Sequence, residues 1–91
     1  MTLADIENDQ RFLLAAAYAY NTGQQWISDH IYDMTVKYMQ TMCERYPDLW
    51  MQSSVYPDVF ISDDAWTYTS QHFPQDDVVR GWYEDYRARN G

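Results

Sequence analysis

Apolar residues recur along the first part of the chain at the spacing of a helix surface. Leu3, Ile6, Leu13, Ala17 and Tyr20 fall on one side of a 3.6-residue repeat, and LLAAAYAY, Leu13 to Tyr20, is built of strong helix formers. Thr2, with Asp5 three residues on, offers side-chain oxygen to the free amides of a first turn. NTG ends the pattern, because Gly23 tolerates the left-handed conformation that closes a helix. The spacing predicts a helix from about Thr2 to Asn21.

A second pattern opens at Ser28 or Asp29 and runs to Tyr46, where Pro47 makes continuation costly. Asp33, Lys37, Gln40 and Glu44 form a polar stripe, with Asp33 and Lys37 in the favourable acid-first i,i+4 order. Ile31, Tyr32, Met34, Val36, Tyr38, Met39, Met42, Cys43 and Tyr46 take more than half the circumference. A helix with so wide an apolar face is expected to pack against more than one neighbour and to be the central element.

PDLWMQSSVYPDVFI, Pro47 to Ile61, carries two prolines and a serine pair and reads as an ordered connection, with VFI as a short strand candidate. Ser62 is then placed to cap a short helix through Phe73, with Asp63 and Asp64 in its first turn where the helix dipole favours negative charge. Pro74 and QDD open a last helix, with Val78, Val79, Trp82 and Tyr86 expected to face inward. Gly81 inside it costs ~1 kcal/mol relative to alanine, which packing must offset. The expected architecture is all-α: one domain over residues 1–91, a small bundle of about four helices. It is built on an antiparallel helical hairpin (residues 1–49) followed by an acidic, aromatic-rich part (residues 50–91).

Composition adds two facts. Aromatic residues make up 18% of the 91 positions, with nine Tyr and four Trp. So small a domain cannot hide every ring, and surface Tyr and Trp are the stuff of binding sites. Fourteen acids against six bases give a net charge of −8, and between Asp48 and Asp85 eight acids face one base, Arg80. Such a field repels phosphates, so direct nucleic-acid binding is disfavoured. A basic protein surface, including one that normally holds nucleic acid, is attracted to it.

Catalytic chemistry is thin. Gly23, Gly81 and Gly91 are isolated from one another and form no phosphate loop. His30, His72 and Cys43 lack zinc-ligand spacing, and Cys43 on an apolar helix face reads as a buried inert thiol. The doublets Asp63-Asp64, Asp76-Asp77 and Glu84-Asp85 diverge by about a quarter turn on a helix, so none of the three carboxylate pairs converges on one substrate or metal. One cysteine excludes an internal disulfide, the opening MTLADIENDQ is unlike a secretory leader, and no apolar run is long enough for a bilayer. The expectation is a cytoplasmic protein without a resident cofactor.

AYAYNTGQQWISDHIYDMTVKYMQTMCERYPDL, Ala17 to Leu49, resembles the N-terminal helical domain of NAD-dependent DNA ligases. The resemblance is carried by Tyr18 and Tyr20 at a helix end, the loop NTGQQW, the helix start ISDHIYD and the turn RYPDL. It covers about a third of the chain, and the chain also looks like short phage proteins that hold little more than this hairpin. In the ligases this domain grips the nicotinamide mononucleotide half of NAD. By position, the resemblance implies a pocket at Tyr20, Asn21, Asp29, Tyr32 and Asp33, where tyrosine rings stack on a cationic nicotinamide and carboxylates meet its charge or ribose hydroxyls. Asn21 stands where the family usually has histidine, and the loop is a residue shorter. Lys37, the single lysine, lacks the adenylation motif, which excludes ligase activity by this chain alone. Helix capping by Ser28 or Asp29, Asp33–Lys37 pairing and Tyr32 packing account for the same residues without a ligand.

Two readings follow. The preferred one is a non-catalytic, phage-type protein-binding module that docks on a basic, nucleic-acid-handling surface as an inhibitor of a host defence complex, of the anti-CRISPR or antirestriction kind. Asp63, Asp64, Asp76, Asp77, Glu84 and Asp85 would stand in for phosphates, with Trp66, Tyr68, Trp82 and Tyr83 as anchors. The other is an accessory domain binding NAD or nicotinamide mononucleotide through Tyr20, Asn21, Asp29, Tyr32 and Asp33.

Overall fold

The structure, a computed structural model, describes residues 2–60 and 73–90. Every regular element among them is helical: α1 (Leu3–Asn21), α2 (Asp29–Arg45), α3 (Pro47–Gln52), a 3-10 turn (Pro57–Phe60) and α4 (Asp77–Asn90). The all-α bundle is therefore as expected. The short helix expected from Ser62 lies outside the described residues, apart from its last position.

Local chemistry sets the helix ends. Thr2 and Asp5 form a reciprocal capping box: the Asp5 amide donates to the Thr2 hydroxyl at 3.3 Å, and the Thr2 amide donates to the Asp5 carboxylate at 3.0 Å. Ser28 caps α2 by accepting from the Ile31 amide at 3.2 Å. Gly23 sits at φ 72, in the left-handed region that turns the chain out of α1. Pro47 does not merely end α2. It starts α3, since a proline at the first helical position gives up an amide that has no intrahelical acceptor. PDLWMQ is thus a helix and not a loop, and Val59 and Phe60 lie in a 3-10 turn and not a strand.

The centre of the bundle is α1, not α2. Leu13, Leu14, Ala15, Ala16 and Ala17 are all buried, and five consecutive positions at 100° steps go right round a helix. On one side α2 and α3 contribute Tyr32, Met39, Met42 and Trp50 to a core shared with Ile6, Leu13, Leu14 and Ala17. On the other, Tyr83 of α4 packs on Ala15 and Ala19. The alanines leave room for both neighbours to come close. Contacts of Tyr20 with Tyr32 and of Asp9 with Tyr38 run in opposite senses along α1 and α2, so the hairpin is antiparallel. Tyr18 with Tyr83 and Phe12 with Tyr86 place α4 antiparallel to α1 as well.

Among the described elements α4 packs on α1, and α2 stands at the edge. Its wide apolar face is only half used: Ile31, Met34 and Tyr38 are 48%, 57% and 47% exposed. In α4 the inward set is Val79 and Tyr83 with Trp82 and Tyr86 beside them, whereas Val78 points to water. Nor does packing compensate Gly81, since among the described residues a β-carbon there would meet nothing within 4 Å beyond its own helix backbone and chain neighbours.

Two polar ties anchor the turn after α3. The Glu7 carboxylate accepts from the Ser54 amide at 2.9 Å and the Ser54 hydroxyl at 2.8 Å. Deeper in, the Ser53 hydroxyl donates to the side-chain carbonyl of the fully buried Gln10 and accepts from the Val55 amide at 2.9 Å. Among the described residues the Gln10 Nε2 has no hydrogen-bond partner.

Candidate functional site

Two regions bring sequence-predicted residues together. The first is the junction of α1 and α2. Tyr20 and Tyr32 stack on each other with ring centroids 6.0 Å apart and planes at 27°. Tyr32 is buried and Tyr20 is half-exposed, so a flat ligand finds only the outer face of Tyr20. Entry between the rings requires about 7 Å, two ring-to-ring spacings of ~3.5 Å. Asp29 accepts from Gln25 Nε2 at 2.9 Å, which ties the helix start to its own loop. Asn21 ends α1 and is exposed, as is Asp33. Among the described residues Asp33 and Lys37 form no ion pair, against the i,i+4 expectation.

The second region is α4 and its approach. Asp76 caps the helix: its Oδ1 accepts from the Val79 amide at 2.9 Å and its Oδ2 from the Tyr56 hydroxyl at 2.8 Å. These two bonds, the backbone one foremost, hold its carboxyl below the usual range. The Tyr56 phenol is correspondingly raised by donating to Asp76. Asp76 is thus committed to structure. Asp77, Glu84 and Asp85 stand on the water side with side chains 90%, 67% and 57% exposed. Arg80 lies 3.4 Å from Asp77 and 3.7 Å from Glu84, and Arg89 pairs with Asp85. The acids of α4 are therefore interleaved with arginines of the same helix. Most of the acidic excess among the described residues belongs instead to residues 2–60, which hold eight acids and three bases.

The predicted aromatic anchors divide. Tyr83 belongs to the core, touching Tyr18 at 5.6 Å and Trp26 at 6.1 Å between centroids. Trp82 is partly buried and meets the Tyr56 ring edge-on at 6.2 Å. Asp63, Asp64, Trp66 and Tyr68 lie outside the described residues. Trp26 plays a part that its loop position did not announce: it packs between Phe12 (5.3 Å) and Tyr86 (5.6 Å), with Arg89 over the far ring at 5.7 Å from its centroid.

Other shifted groups have structural causes. Backbone and side-chain bonds from Thr2 lower Asp5, and those from Ser54 lower Glu7. Burial, with the Asp5 charge nearby, raises Asp9 in spite of a hydrogen bond from Tyr38. Burial also raises Cys43, which keeps the thiol protonated and unreactive at neutral pH. Among the described residues no group of three or more His, Cys, Asp or Glu is placed to hold a metal ion, and no helix is long and apolar enough to cross a membrane. No protein-family model matches the chain, and neither a curated protein nor a solved structure does.

Proposed function

We propose that the chain is a non-catalytic, acidic protein-binding module that docks on a basic surface of a larger protein, one that normally holds nucleic acid. Its setting in this reading is a phage-type inhibitor of a host defence complex, of the anti-CRISPR or antirestriction kind. The observation that carries the reading is the outer side of α4. Asp77, Glu84 and Asp85 stand in water on a helix whose other side is fixed to α1 by Val79 and Tyr83. Between them Gly81 leaves open space, so another backbone can approach closely. The intrahelical arginine pairs do not block this, because exposed ion pairs are worth only ~0–1 kcal/mol and a partner's guanidinium can displace them.

The test is capture from bacterial lysate by the wild-type chain and by the Asp77→Asn, Glu84→Gln, Asp85→Asn variant in parallel, then titration of the captured protein at rising salt. The expected result is binding that falls steeply with salt and weakens at least about tenfold in the variant. Asp76 is left untouched because it caps α4. Salt-insensitive binding, or equal binding by the variant, counts against charge mimicry.

A second reading, nicotinamide mononucleotide or NAD binding, is favoured by the Tyr20–Tyr32 stack beside Asn21 and the open Asp33 carboxylate. Calorimetric titration with both nucleotides, alongside Asp33→Ala, tests it. Absence of heat at about millimolar ligand ends it.

A further inference from the structure

The buried residues of α4 belong to two different groups. Val79, near its start, joins the main core with Leu13, Met39 and Trp50, whereas Tyr83 forms a smaller group with Ala15 and Ala19. The first half of α4 is therefore fixed to the main core, and Tyr56 ties it again at its cap. The second half rests on Ala15 and Ala19, which offer little apolar area, and on the Tyr18 ring. Further cover for it comes from the loop between α1 and α2.

Trp26 of that loop stacks on Tyr86 with ring planes at 26° and centroids 5.6 Å apart. Phe12 of α1 meets both rings edge-on, Trp26 at 5.3 Å and Tyr86 at 5.6 Å. One ring each from α1, the loop and α4 thus touch one another. A second tie lies one turn earlier in α4. The Tyr83 hydroxyl donates to the Gln24 carbonyl at 3.4 Å, a long bond, and the Tyr83 ring meets Trp26 edge-on at 6.1 Å. The loop is itself anchored at both ends. The Gln24 amide donates to the Ala19 carbonyl at 2.8 Å, behind the turn at Gly23. Gln25 Nε2 donates to the Ile27 carbonyl and to the Asp29 carboxylate, each at 2.9 Å. A ring held ready in this way loses little freedom when it packs.

We propose that the α1–α2 loop is a strap: Trp26 closes it over the second half of α4, and that half opens as a local unit when the strap is released. Segments with few buried apolar contacts open below the free energy of global unfolding, and without Trp26 this half is such a segment. Glu84 and Asp85 stand in the strapped half, and Asp77 in the half fixed to the main core. Resting on the docking reading, the strap keeps these three acids on one rigid helix. A contact that draws Trp26 off Tyr86 then dissolves the docking face without touching an acid.

Amide hydrogen exchange of the full chain, followed residue by residue by NMR, tests this. In Trp26→Ala the amides of residues 84–89 are expected to exchange at least about tenfold faster, and those of residues 36–45 in α2 to stay within about twofold of wild type. Trp26→Phe keeps a ring and is expected to recover part of the protection. Tyr86→Leu removes the ring on the other side of the stack and is expected to open the same amides. That variant decides the matter where Trp26→Ala does not fold. Equal loss of protection in α2 and α4 of a folded variant overturns the proposal, since Trp26 is then ordinary core support. So do amides of residues 84–89 that are already unprotected in wild type, or that neither variant moves. No partner enters the measurement, so failure here is distinct from failure of the docking reading.

Discussion

The Tyr56 hydroxyl donates to Asp76 at 2.8 Å across twenty positions of sequence, while the same carboxylate caps α4 through the Val79 amide. One acid thereby closes a long connection and starts a helix. Tyr56 holds this position with φ 47, a left-handed conformation disfavoured for a residue with a β-carbon. The bond to Asp76 and the edge contact with Trp82 keep it there.

Loss of that cap has a defined cost. Asp76→Ala is expected to destabilise the chain by about 1 kcal/mol at neutral pH. The Asp76 carboxyl is lowered in the folded state, so its contribution is present above the unfolded value and is lost as pH falls through the folded one. Urea unfolding at pH 7 should separate the variant from wild type, and near pH 2 the two should converge.

Asp9 has the opposite sign. Burial raises its carboxyl, so the fold favours the protonated form, and that advantage disappears as pH rises through the folded value. Asp9→Asn keeps an acceptor for Tyr38 without a charge to bury. It should be more stable than wild type at pH 7 and lose its lead in acid, which thermal melts across pH 3 to 7 will show.

The two described glycines should respond in opposite directions to alanine. Gly81 is helical and meets nothing, so Gly81→Ala should stabilise by about 0.5–1 kcal/mol, a rise of several degrees in Tm. Gly23 is at φ 72, where a β-carbon is strained, and Gly23→Ala should cost about 1–2 kcal/mol. If Gly81→Ala also lowers partner affinity, close approach at α4 gains support.

The buried Gln10–Ser53 contact is the polar element of the core. Ser53→Ala leaves the Gln10 carbonyl and the Val55 amide without their partner and should cost about 1–3 kcal/mol. Gln10→Met in the same chain removes an amide whose Nε2 is already unpartnered. The double variant should recover part of the loss in denaturant titration, and a fully additive double variant would contradict this coupling.

Helix ends were legible from the chain because capping is a matter of three or four consecutive residues. Thr2 with Asp5, Ser28 before α2 and Gly23 after α1 all act where the local pattern places them. The closeness of Tyr20 and Tyr32 followed at the sequence level only from the family resemblance, and the short turn between α1 and α2 is what lets the two rings stack. The misplacements in and before α4 have one kind of cause. Tyr83 and Val78 exchange inside for outside because α4 is rotated to offer Tyr83 to Ala15 and Ala19, a preference that belongs to α1 and not to α4. Asp76 reads as a surface acid until Tyr56 arrives from twenty residues away.

Sequence by itself determined that the described residues form an all-α bundle, where α1 and α2 begin and end, and that the chain carries a strong negative charge, since propensity, capping and composition are local or additive. Tertiary structure alone decided that α1 is the centre and α2 the edge. A wide apolar face states that something must cover it, but which helix does so depends on how closely two surfaces fit. Alanines with little size of their own gave α1 two close neighbours, and left Ile31 and Met34 of α2 half-exposed.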